Sequence, residues 1–149
     1  MKNRETLFVL TLLLGIISCG SIENKTKNKI VKVSYSRFGG KSQTITELEV
    51  TEDSIVYKTG KLDARKIYKD KTPKELWKEL SEVKLKEFDK IESTQSMAKV
   101  DGKDEKVSII TKTKVHSFLN GKIVNSTEVK HLLALLHMTM SKMTPQPVL

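Results

Sequence analysis

Side chains able to do chemistry are few and scattered in this chain. Its one cysteine, Cys19, sits directly behind the most apolar run, Leu7 to Ile17. A thiol there could be a nucleophile, a metal ligand, a core residue or a point of covalent attachment. His116 falls in a strand-like stretch, whereas His131 and His137 share a helix-like one. Their spacing sets the latter two about 240 degrees apart around a helix, so they cannot ligate one metal as an i, i+4 pair does. Asp101, Asp104 and Glu105 in "VDGKDEK" superficially resemble a calcium loop, but they lack the EF-hand ligand spacing and lie among lysines. No nucleophile elbow, phosphate-binding glycine loop or zinc-spaced cysteine set occurs. The sequence therefore assigns no catalytic residue, metal ligand or cofactor, and identifies no small-molecule substrate.

What remains is recognition. "YSRFGGK", with Tyr35, Arg37, Phe38, Gly39, Gly40 and Lys41, joins an aromatic-bearing strand to a glycine loop that carries cationic donors. Loops at the end of a rigid sheet are where binding concentrates. A strand that merely ends in a glycine hairpin reads the same way.

The position of Cys19 selects among its roles. Lys2 and Arg4 make a positive start, the apolar run follows, and Ser18 is a small residue just before the cysteine. That is the outline of a secretory signal peptide, and the run is well short of the roughly 20 residues a membrane-spanning helix needs. Ile16-Ile17-Ser18-Cys19 resembles the lipobox of bacterial lipoproteins. The resemblance implies that the Cys19 thiol receives a diacylglyceryl group, that cleavage falls between Ser18 and Cys19, and that the new amine is acylated, for example with palmitate. Two or more acyl chains anchor a protein stably where one does so marginally. An ordinary secretory signal with an incidental cysteine is the alternative, and it leaves an unpaired thiol in an oxidising compartment.

The expected organisation is a lipoprotein signal peptide over 1–18, the lipidated cysteine and a flexible tether over 19–29, one α+β domain over 30–143, and a tail over 144–149. The tether "GSIENKTKNK" is polar and rich in asparagine and lysine. Formal charge is +9, carried by 24 lysines against 3 arginines. So few arginines disfavour nucleic acid, whose phosphates and guanines are read by bidentate guanidinium groups. The lysines are interleaved with acids and read mostly as solvated surface, with attraction to anionic head groups as the lesser role.

The elements follow from periodicity. "IVKVSYSRF" alternates, with Val31, Val33 and Tyr35 on one face; "TITELEV" alternates after the glycine break; "TEDS" turns into "IVYK". These make a three-stranded meander. Thr72-Pro73-Lys74-Glu75 predicts a helix start with Thr72 as N-cap and Glu75 closing a capping box. Leu76, Trp77, Leu80 and Val83 recur behind it at helical spacing, with Trp77 in the core, and Leu85, Phe88 and Ile91 form a further apolar stripe. Residues 93–106 read as a loop. "VSIITKT" and "VHSFLNGK" predict a hairpin turned near Thr113 and Lys114. The last helix is capped by Asn125 or Ser126 and shows Val129, Leu132, Leu133, Leu136 and Met140 on one face. Separate β and α blocks predict an α+β fold, an antiparallel sheet of about five strands (meander plus hairpin) covered on one face by two or three helices.

The domain is similar to the small lysine-rich lipoproteins of Bacteroidetes, particularly flavobacteria, at Tyr35 to Gly40, Thr46 to Tyr57, Thr72 to Leu80 and Val100 to Ile109. This resemblance implies a fold and an address, the cell envelope, and no particular reaction. The expected function is a noncatalytic, membrane-anchored binding, accessory or inhibitor-like module, held to a membrane by its lipid and docking an envelope protein. The alternative is an exported enzyme whose acid/base site is dispersed along the chain. Family experience links surface export to acids soon after the cysteine, and here Glu23 is followed by Lys25, Lys27 and Lys29, so a periplasm-facing domain is expected.

Overall fold

The computed structural model describes residues 28–41, 43–97, 102–121 and 126–144. Residues 1–27, on which the expected signal peptide, Ser18, Cys19 and most of the expected tether fall, and residues 145–149 of the expected tail lie outside the described residues, as do Asp101 and Asn125. The elements are β1 (Ile30–Gly39), β2 (Thr44–Val50), β3 (Ser54–Lys61), β4 (Ala64–Lys71), α1 (Lys74–Ser81), α2 (Leu85–Phe88), β5 (Lys103–Thr111), β6 (Val115–Leu119) and α3 (Thr127–Met143). They make an α+β fold around one sheet ordered β4-β3-β2-β1-β5-β6, with every neighbouring pair antiparallel.

The sheet has 6 strands where about five were expected. The extra one is β4, which makes the meander four strands long. Its sequence, "ARKIYKDK", lacks a clean apolar face because an edge strand buries little of either face, and most of its residues are exposed. The loop expected over 93–106 is also shorter, since β5 already begins at Lys103.

Along β1 the apolar alternation is interrupted by a register shift between Ile30 and Lys32. An extra residue in one strand turns the following side chains to the other face. Ile30, Val33 and Tyr35 are consequently buried and Val31 is exposed, which corrects the simple alternation. Leu48 and Val50 of β2, Ile55 and Tyr57 of β3, Val107 and Ile109 of β5 and Phe118 of β6 complete the buried apolar face. The helices supply Trp77, Leu80, Phe88, Val129, Leu132, Leu135 and Leu136 to the same core. Each such side chain taken from water contributes about 1.5–3 kcal/mol. The opposite face of the sheet is an open, polar surface bearing Ser34, Ser36, Glu47, Glu49, Lys58 and Lys106.

Two hairpins close alike. Thr51 N donates to Ser54 O at 2.9 Å while Ser54 N donates to Thr51 Oγ1 at 3.1 Å. Thr111 N donates to Lys114 O at 2.9 Å, and Lys114 N to Thr111 Oγ1 at 3.0 Å. A threonine side chain thus caps each turn with the acceptor its backbone geometry requires.

The helix starts divide. Ser126 caps α3, its Oγ accepting from Val129 N at 3.4 Å. Thr72 does not cap α1: its hydroxyl donates to Thr51 O at 2.8 Å, and Pro73 occupies the cap position with no side-chain bond. The capping box expected with Glu75 is therefore absent. A carbonyl left open by the β2–β3 turn competes successfully for the Thr72 hydroxyl and fastens α1 to that turn. On α3 the buried stripe is Val129, Leu132, Leu135, Leu136 and Thr139, with Leu133 and Met140 packed at its margin.

Candidate functional site

The end of β1 carries the residues singled out for recognition, and the strand pleat sorts them. Arg37 lies opposite Glu105 on β5, Tyr35 opposite Val107, and Phe38 opposite Asp104. Successive strand side chains face opposite ways. Tyr35, Arg37 and Glu105 therefore share the helix-covered face, and Phe38 and Asp104 the other. Gly39 and Gly40 take φ of 89° and 76° in the β1–β2 turn, a region open to glycine and strained for other residues. Lys41 follows, exposed, in the same turn.

Tyr35 is not part of an exposed loop. It is 2% exposed, and the ring of His137 meets its ring edge-on with centroids 5.3 Å apart. Its hydroxyl donates to Glu105 Oε1 at 3.0 Å, and Arg37 Nε lies 3.5 Å from the same oxygen. Burial pushes the Tyr35 phenol well above its ordinary range, and the charge of Glu105 and the hydrogen bond to it push the same way. The group is therefore a fixed donor at physiological pH and no base.

Asn120 holds the other side of this cluster. Its φ of 46° lies in the left-handed region that asparagine tolerates better than most residues. In that conformation Oδ1 accepts from Glu105 N at 2.7 Å, while Nδ2 donates to Asp104 Oδ1 at 2.6 Å. Between the strands and α3 lies a recess of about 240 Å³, with Arg37, Lys103, Glu105 and Asn120 at its polar side and Phe118 and Leu133 at its apolar side. Gly121 forms part of the wall, where a Cβ would come within 2.6 Å of the Phe118 ring. Two cations beside an apolar wall can hold a ligand with an acidic group and an apolar body.

No family model and no curated protein sequence matches the chain.

Two polar clusters escaped the sequence reading. Asp104, fully buried, accepts from Met97 N at 2.7 Å, from Asn120 Nδ2 and from the Ser96 hydroxyl, so it pins the segment ending at Met97 to β5. Only its position at the start of an alternating strand could have hinted at this. Asp104 and Glu105 are adjacent in sequence and face opposite sides of the sheet, so they do not converge as a calcium loop would. The second cluster is His116, 7% exposed, whose Nδ1 lies 2.7 Å from Asp89 Oδ1 and joins β6 to the end of α2. His131 pairs with Glu79 at 2.9 Å on the surface, and His137 meets Tyr35 edge-on, so the three histidines stand apart. Among the described residues no three acidic, histidine or cysteine side chains gather as metal ligands, and no helix is long and apolar enough to cross a membrane.

Proposed function

We propose that the chain is a noncatalytic lipoprotein of the bacterial cell envelope, anchored through acyl groups on Cys19, whose α+β domain binds a partner as an accessory or inhibitor-like module. The signal-like residues 1–18 and the lipobox resemblance at Ile16 to Cys19 support the anchor. The lysines that follow Glu23 support a periplasm-facing domain.

One observation carries the binding reading: Glu105, which lines the recess with Arg37, is held by Arg37 on one side and by the buried Tyr35 hydroxyl on the other. Side chains so engaged are fixed in position, which suits recognition by preorganised groups. The enzyme alternative has the His116–Asp89 pair in its favour. That imidazole is enclosed by the core, so the recess is the better candidate.

A photoreactive residue placed at Lys103 tests the binding reading, with the same group at Lys58 on the open sheet face as reference. Crosslinks to one envelope protein from Lys103, lost on Arg37→Ala and sparse from Lys58, are the expected result. Equal labelling from both positions, insensitive to Arg37, contradicts it.

A further inference from the structure

The two edges of the sheet are finished differently. At β6 the edge is covered in part: Thr94 N donates to Leu119 O at 2.9 Å and Leu119 N donates to Ser93 Oγ at 3.0 Å. At β4, among the described residues, nothing pairs with the outer side. The register Lys61↔Ala64 across the two-residue turn makes alternate pairs hydrogen-bonded, so Arg65, Ile67 and Lys69 direct their backbone groups away from β3. The amide of Lys71 is taken by Asp70 Oδ1 at 2.7 Å.

This edge is basic and partly apolar. Lys61, Lys66, Lys69 and Lys71 make no ion pair among the described residues, whereas Arg65 is held by Glu47 at 3.0 Å. Ile67 is 57% exposed and Leu62, in the turn, 73%. Edge lysines discourage indiscriminate pairing of strands. They equally select which strand can pair. A second copy of β4 running antiparallel would set cations against cations, and like charges directly opposite are unfavourable.

We propose that β4 is a docking edge for an extended acidic segment of a partner protein, which adds to the sheet as a further antiparallel strand. Its backbone pairs with Arg65, Ile67 and Lys69; on the open face its carboxylates meet Lys69 and Lys71 and an apolar side chain covers Ile67, while Lys66 stands on the other face. Main-chain bonds supply affinity and the side chains specificity in such strand addition. The proposal does not depend on the recess beside Tyr35 or on acylation of Cys19.

The test uses the full chain and three labelled peptides: an extended one with Val set to oppose Ile67 and Glu set to oppose Lys69 and Lys71, its Lys-for-Glu counterpart, and the acidic peptide N-methylated at alternate amides. Binding is read by anisotropy, and edge pairing by hydrogen exchange of the amides of Arg65, Ile67 and Lys69. The acidic peptide is expected to bind and protect those amides, and the other two to fail. Lys69→Glu together with Lys71→Glu should reverse the preference toward the lysine peptide. Ile67→Pro, which removes an outward N–H and leaves the β3–β4 ladder intact, should weaken the acidic peptide about tenfold. The charge-reversal pair keeps the test decisive if the proline variant does not fold. Binding of the N-methylated peptide without amide protection, absence of binding by the acidic peptide, or concentration-dependent protection of the edge in the protein alone would each overturn the proposal.

Discussion

The Tyr35 hydroxyl donates to Glu105 Oε1 across 3.0 Å, joining two neighbouring strands far apart in sequence beneath the His137 ring. Strand pairing places the two residues on one face, and α3 keeps water from the phenol. Burial first, then the charge of Glu105 and the hydrogen bond to it, keep Tyr35 protonated in the folded chain to higher pH than in the unfolded one.

That difference has a sign. An unfolded tyrosine ionises near about pH 10, and the folded one later, so above that point the unfolded state holds fewer protons. The contribution of Tyr35 to stability is complete below about pH 10 and is lost as pH rises toward the folded pKa. Urea midpoints should fall on raising the pH beyond this point, and fall less steeply in Tyr35→Phe. At neutral pH that variant should lose about 1 kcal/mol, the net worth of one hydrogen bond. Equal alkaline slopes would show that the phenol is not held as described.

Asp104 should be the costlier of the two acids on β5. Asp104→Ala leaves Met97 N, Asn120 Nδ2 and the Ser96 hydroxyl short of an acceptor. A loss of at least about 2 kcal/mol is expected, with faster amide exchange at Met97. Glu105→Ala, at a half-exposed position, should cost less in a parallel urea titration.

His116→Ala should destabilise by about 2 kcal/mol, since it removes a buried ring and leaves Asp89 without that partner. Asp89→Ala should cost less because the carboxylate is more exposed than the ring. If the two variants are equal and the double variant is no worse than either, the pair acts as a single fastening between α2 and β6.

Leu136→Ala should cost about 2–5 kcal/mol, as expected where a fully buried leucine leaves a cavity. Leu133→Ala, at the margin of the core and beside the recess, should cost less while altering what the recess holds. Thermal unfolding and the Lys103 crosslink separate the two effects.

The sequence made some of this legible for identifiable reasons. The alternation in "TITELEV" predicts β2 because Leu48 and Val50 bury one face while Glu47 and Glu49 face solvent. Trp77 and Leu80 predict the buried side of α1 by their spacing, and both are in the core. β4 was not legible, because an edge strand rich in lysine has no face selected for burial. The bulge near Ile30 hid which valine of β1 is inside, and Thr72 found an acceptor in another turn that no local motif reveals. At the candidate site, Tyr35 and Arg37 were marked by residue type, but their partner Glu105 comes from β5, and Asn120 is brought in only by its left-handed backbone. Phe38 belongs to the opposite face and does not join them.

The anchor at Cys19 is the central claim, and the intact mass of the protein recovered from membranes tests it most directly, alongside Cys19→Ala. The expected result is a chain that begins at Cys19 and carries diacylglyceryl and acyl groups, with the variant neither cleaved there nor acylated. A chain beginning elsewhere and free of lipid would contradict it.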